Sequence, residues 1–162
     1  MNIIRFFTIL IFLLINTNIL KSQNRISIDS IYGMPIFREL NEKNGLPSNV
    51  VNDINQDSNG FIWISTDRGL SKFDGYNFKT FKEQNGLIDE DIFSTYIDSK
   101  NRIWCLNSNG TVQYIQHNKI FTEKNKNILQ KIHSNSWWTT ITEGKNKSIY
   151  FGSFTNEIIT ID

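Results

Sequence analysis

The sequence predicts an all-β chain, a β-propeller of four-stranded antiparallel blades that is incomplete at about three blades. Three observations carry this reading. Several separate features recur at one offset of 41 residues. Each copy reads as four short strands punctuated by Gly, Asn and Asp turns. The aromatic fraction is 13%, and aromatic and β-branched side chains suit packed strands better than helices or disorder.

The repeat comes first. Phe37-Arg38-Glu39-Leu40 leads to Asn44-Gly45-Leu46, and Phe78-Lys79-Thr80-Phe81 leads to Asn85-Gly86-Leu87. The same spacing relates Asp57 to Asp98, Ile62 to Ile103 and Trp63 to Trp104. A shared period of this size marks one supersecondary unit in tandem. A third copy is looser. Phe121 and Asn127-Ile128-Leu129 replace the Phe and Asn-Gly-Leu features, and Ile149-Tyr150-Phe151-Gly152 replaces Ile62-Trp63-Ile64-Ser65. Between them about four residues are added around 134–138.

Within blade one, strands are expected at 50–55, 61–66, 70–73 and 76–81. Asp57-Ser58-Asn59-Gly60, Asp67-Arg68-Gly69 and Asp74-Gly75 are the turns, and Asn59-Gly60 supplies the positive φ of a tight hairpin. The second strand is apolar on both faces, with Phe61 and Trp63 opposite Ile62 and Ile64, so it belongs between two layers. Blade two repeats this at 92–97, 102–107, 111–116 and 119–123. There Asn101 replaces the turn glycine Gly60, which Asn tolerates best after Gly. Blade three offers strands at 137–142, 148–154 and 157–161. The organisation is therefore a partial propeller over 37–162, with blade one at 50–82, blade two at 92–124 and an incomplete blade three at 137–162. Residues 37–41 match a fourth strand yet precede the first full repeat, and are expected to close the ring's last blade. Since propellers have at least four blades, the chain is expected to be the N-terminal piece of a longer protein.

The start of the chain reads as an export label. Arg5 precedes a run from 6 to 15 that is apolar except for Thr8, and Asn16, Thr17 and Asn18 end it. This is a secretory signal peptide over 1–23, cleaved near Ser22 or Gln23, followed by a short leader at 24–36. An uncleaved anchor would place Asn16 and Asn18 in hydrocarbon. No cysteine follows the run, which excludes a lipoprotein anchor. The expected location is periplasmic or secreted. The net charge of +1 balances 17 basic against 16 acidic residues and points to no nucleic acid and no anionic membrane surface. A membrane enters only through the export signal or a helix further downstream. The single cysteine, Cys105, excludes a disulfide within the chain and reads as a small buried hydrophobe. His117 and His133 share no ligand spacing and look like turn residues, so no metal and no cofactor are expected.

Four runs resemble the two-component regulator propeller repeat: Phe37-Arg38-Glu39-Leu40, Asn44-Gly45-Leu46-Pro47-Ser48-Asn49-Val50, Asp57-Ser58-Asn59-Gly60-Phe61-Ile62-Trp63-Ile64-Ser65-Thr66 and Gly69-Leu70-Ser71-Lys72-Phe73-Asp74-Gly75. The likeness covers 37 to about 118 well and 133–162 weakly. It implies a periplasmic sensing region of a hybrid two-component system or sensor histidine kinase, in which a ring of blades receives a ligand, often a glycan. The partners it implies are that ligand, the missing blades and a downstream signalling domain. The chain shows no kinase histidine motif, ATP-binding glycines or receiver domain, and is not expected to signal alone or to be an enzyme. The alternatives are a fragment of a secreted propeller polysaccharide lyase or glycosidase, and a cell-surface structural propeller.

Candidate site residues fall into two groups. Asp57 and Asp98 read as Asx-turn acids, because recurrence at blade spacing favours a structural role over calcium binding or acid catalysis. Trp63 and Trp104, on central strands, read as inter-blade core. Ligand contact is expected where blade-to-blade loops and the loops between second and third strands share a face. That face carries Asp67, Arg68, Asp89, Glu90, Asn107 and Asn109, with Asp91 completing the acidic run. Trp137, beside Trp138 in the irregular insertion, is the candidate platform for stacking on a sugar.

Overall fold

The computed structural model describes residues 37–132 and 136–162. The expected signal peptide, the leader and His133 lie outside the described residues. The chain divides into two units, 1–38 and 39–162, and the second holds all the strands described.

The strands form three antiparallel sheets. Sheet one is β1 (Val51–Gln56), β2 (Ile62–Thr66), β3 (Gly69–Phe73) and β4 (Phe78–Phe81), in that order. Sheet two is β5 (Ile92–Ile97), β6 (Ile103–Asn107), β7 (Val112–Gln116) and β8 (Lys119–Phe121). Sheet three is β9 (Trp138–Glu143), β10 (Ile149–Ser153) and β11 (Ile158–Ile161). Each is an up-and-down meander, the construction of a propeller blade. The expected strand ends shift by one or two residues. Residues 37–41 form no ladder among the described residues. The turn after them, however, is the turn after β4. Short 3₁₀ segments at Glu42–Asn44 and Glu83–Asn85 each end on a left-handed glycine, Gly45 at φ 105° and Gly86 at φ 107°.

Turn chemistry explains where the strands stop. Gly60 is left-handed at φ 86° and Asn101 takes the same region at φ 56°. His117 and Asn118, at φ 50° and 60°, make the two-residue turn between β7 and β8. Gly69 has a second constraint, since a Cβ there would lie 2.6 Å from the Phe81 carbonyl oxygen.

Strand alternation builds two cores. On β6, Ile103 and Cys105 join Trp63, Leu70, Phe81 and Ile92, between blades one and two. Trp104 and Leu106 join Trp138, Ile149 and Phe151, between blades two and three. Blade two is thus apolar on both faces, as the sequence of β6 requires. Burial pushes the Cys105 thiol pKa upward.

The first strands of neighbouring blades are joined by polar side chains. The Asp53 carboxylate accepts from the Thr95 backbone N–H at 2.8 Å, and Asn55 Nδ2 donates to the Thr95 carbonyl at 3.1 Å. Between blades two and three, the Glu143 N–H donates to the Tyr96 hydroxyl at 3.1 Å.

Candidate functional site: a cavity at the head of the inner strands

Two kinds of turn organise the blades. At the first hairpin, Asp57 Oδ1 accepts from the backbone N–H groups of Asn59 (2.9 Å) and Phe61 (3.1 Å), while Oδ2 accepts from Trp63 Nε1 at 2.9 Å. Asp98 does the same in blade two, with Lys100, Arg102 and Trp104 Nε1 each at 2.9 Å. The Arg102 guanidinium adds an ion pair to Asp98. Every carboxylate oxygen is occupied, so both acids serve the hairpin and the indole.

The opposite loops are stitched together. The Gly69 N–H donates to the Glu90 carbonyl at 2.9 Å, and the Ser108 N–H to the Asp91 carbonyl at 3.3 Å. Asn107 and Gln113, both buried, hold the loop from below. Asn107 Nδ2 donates to the Asp89 carbonyl at 3.0 Å, and Gln113 Oε1 accepts from the Ile88 N–H at 2.8 Å. The turns carrying Asp67, Asp89 and Asn109 therefore share one face.

On that face a cavity of about 240 Å³ opens among the heads of β1, β5 and β9. Asn52, Phe93 and Thr139 line it, with Asp91, Asn107, Ser108, Trp137 and Trp138. Its origin is a repeated irregularity. On β1 the pairing jumps from Val51–Thr66 to Asp53–Ser65 and skips Asn52. On β5 it jumps from Ile92–Asn107 to Ser94–Leu106 and skips Phe93. On β9 it passes from Trp138–Ser153 to Thr140–Gly152 and skips Thr139. A β-bulge of this kind re-aims one side chain. All three extra residues line one cavity.

Polar groups around it are partly committed. Asp91 Oδ2 accepts from Ser108 Oγ at 2.6 Å, and Asn52 Nδ2 donates to the Ile92 carbonyl at 3.0 Å. The aromatics split. Trp138 is buried and donates through Nε1 to the Gly110 carbonyl at 2.9 Å. Trp137 is 67% exposed and Phe93 55%. An open cavity with two free aromatic faces beside an amide, hydroxyls and one carboxylate is equipped to hold a small amphipathic ligand.

Of the ligand candidates read from the sequence, the structure brings Asn107 and Trp137 to this cavity. The others lie on the same loop face but do not line it. Glu90 Oε1 caps the Glu83 N–H at 2.9 Å, and Asn109 Oδ1 accepts from the Thr111 N–H at 2.9 Å. Asp89 Oδ1 accepts from the Asp91 N–H at 2.9 Å. Asp67 and Arg68 occupy the β2–β3 turn, where Asp67 Oδ1 is buried without a hydrogen-bond partner among the described residues. Sequence reasoning missed Asn52, Phe93 and Thr139. Asn52 and Phe93 stand at the repeat offset of 41, but nothing in a strand pattern announces a bulge.

Comparison with known proteins agrees with this architecture. Residues 45–68 match a family model described as two component regulator propeller. A stretch of 47 residues, 29% of the chain, is 40% identical to a protein named histidine kinase P4 from Formosa agariphila and covers 3% of it. Among solved structures, an extracellular domain described as that of a hybrid two component system from B. thetaiotaomicron superposes with a TM-score of 0.61 at 25% identity. The match covers 81% of this chain and 18% of that one. A second extracellular domain from the same organism, described as that of a one component system, gives a TM-score of 0.61 at 15% identity over 80% of this chain and 19% of its own. The chain spans only a small part of these relatives, and it shares with them an all-β array of blades in which residues 45–68 match the two component regulator propeller repeat.

Proposed function

We propose that the chain is the ligand-sensing propeller region of an exported two-component signal transduction protein, and that a small extracellular ligand, a glycan, is received in the cavity at the head of β1, β5 and β9. The observation carrying the proposal is the convergence of three bulge residues, one from each blade, beside the exposed face of Trp137. The residues expected at first on the loops then hold the cavity's rim in place. Residues 37–41 supply the outer strand of the ring's last blade, and the downstream partners are further blades and a signalling domain. Residues 1–23 direct export to the periplasm or beyond.

One carboxylate, Asp91, lines the cavity among the described residues, and it is already bonded to Ser108. Glycoside hydrolysis ordinarily needs a pair of carboxyl groups. The test is a panel of oligosaccharides offered to the whole exported protein, read by calorimetry and by product analysis. Saturable binding without cleavage is expected. Turnover of a bound oligosaccharide would replace the sensor with the lyase or glycosidase reading.

A further inference from the structure

Three neighbouring strands break their ladders at the same place. The residues left over, Asn52, Phe93 and Thr139, are all exposed, while the preceding ladder residue is buried in two of the three strands. A bulge forgoes regular pairing, so its retention at equivalent positions in all three blades calls for a role the ladder does not serve. We infer that Asn52, Phe93 and Thr139, together with Trp137, are the selectivity positions of this cavity, and that they take an uncharged, hydroxylated ring, a neutral pyranoside. The inference rests on the proposal that the cavity receives the ligand, and adds which side chains choose it and what charge it carries.

Charge decides the class. Among the described residues lining the cavity, Asp91 is the one ionisable side chain, with no lysine or arginine beside it. Asp89 and Glu90 precede it in the same loop. An anionic ligand would enter against charge of its own sign with nothing to pair with. A cation would find a carboxylate already bonded to Ser108 Oγ at 2.6 Å. A neutral ring meets neither obstacle. Its C–H face fits the exposed planes of Phe93 and Trp137, and its hydroxyls fit Asn52 and Thr139. Asn52 Nδ2 is fixed on the Ile92 carbonyl, which leaves Oδ1 to accept. Thr139 Oγ1 donates to the Gly152 carbonyl at 3.2 Å and retains its capacity to accept.

The experiment is calorimetric titration of the whole exported protein with neutral oligosaccharides from mannan, xylan and β-glucan, and with acidic ones of equal length from alginate and sulfated galactan. A neutral oligosaccharide is expected to bind most tightly. Phe93→Ala and Trp137→Ala should each weaken it about tenfold or more. Asn52→Ala and Thr139→Ala should reorder preference within the neutral set. Lys119→Ala, exposed on β8 and outside the cavity, should leave affinity unchanged, and equal melting temperatures certify each variant. Tighter binding of an acidic oligosaccharide would overturn the inference while sparing the sensor proposal. So would neutral binding indifferent to the four substitutions. Failure of both panels to bind would overturn the glycan proposal and the inference together.

Discussion

Removing the Asp98 carboxylate by Asp98→Ala is the sharpest test of how a blade is held. Trp104 is 1% exposed, so its indole N–H cannot turn to water once Asp98 is gone. A buried donor left without a partner costs about 1–3 kcal/mol. The Lys100 and Arg102 backbone N–H groups lose their acceptor in a half-buried turn. Each is worth about 0.5–1.5 kcal/mol. The Arg102 side chain is partly exposed and its ion pair adds about 1 kcal/mol at most. The total is about 2–7 kcal/mol, a large share of the roughly 5–15 kcal/mol that stabilises an ordinary domain.

Urea unfolding followed by circular dichroism measures this, provided the slope of stability against denaturant is unchanged. The double-mutant cycle with Trp104→Phe isolates the indole bond. The double variant should cost about 1–3 kcal/mol less than the sum of the singles, because no stranded N–H remains. Asp57→Ala offers an internal comparison, since Phe61 stands where Arg102 does and no ion pair is lost. A loss below about 1 kcal/mol for Asp98→Ala, or a coupling near zero, would refute the reasoning.

Three other outcomes are expected. Gly144→Ala should destabilise by about 1–3 kcal/mol in the same urea assay, because its Cβ would lie 2.8 Å from both Asn146 Oδ1 and Tyr150 Cε2; Tyr150→Leu should relieve part of the loss. The Glu143 carboxyl is held below its ordinary pKa, first by Ser99 Oγ and then, against some desolvation, by the Ser99 N–H. That stabilisation is present above the ordinary carboxylate range and is lost as pH falls through the lowered value, so Glu143→Gln should unfold with a flatter acid limb. Cys105, buried with its thiol pKa raised, should resist a thiol reagent in the native protein and react at once in denaturant.

The strands and their order were legible because turn chemistry is local. Asp57 with Gly60, and Asp98 with Asn101, announce their hairpins by residue type, and each hairpin fixes the register on either side. The cavity was less legible, for a physical reason. Polar residues in loops read as ligand contacts, yet Asn107, Asn109 and Glu90 are consumed by backbone N–H and carbonyl groups that the loops leave over. Much of the cavity's lining comes instead from strand residues displaced by bulges. A bulge is set by pairing across two strands, and Phe93 in a run of Ile92-Phe93-Ser94-Thr95 looks like regular strand. Trp137 and Trp138 were legible as a pair but not individually, since the register of β9 decides that Trp138 is buried.

The departures between copies become intelligible across the β2–β3 and β6–β7 registers. Trp63 pairs with Lys72 and Trp104 with Tyr114, so Lys72 and Tyr114 are equivalent. In blade one the Lys72 ammonium sits 3.6 Å from the centre of the Phe61 ring. In blade two the partners change strands: Arg102 replaces Phe61, Tyr114 replaces Lys72, and the guanidinium lies 5.7 Å from the Tyr114 ring centre and 4.8 Å from Trp104. A cation on an aromatic face survives the exchange. Blade three makes a different substitution, with Gly144 where the Asp stood and Tyr150 where the Trp stood, and the ring fills the space a Cβ would need. A single-site comparison reads Arg102 and Gly144 as lost repeat residues. Paired with the residues they face, each is half of a compensated change, which is why the third copy keeps the blade while losing the motif.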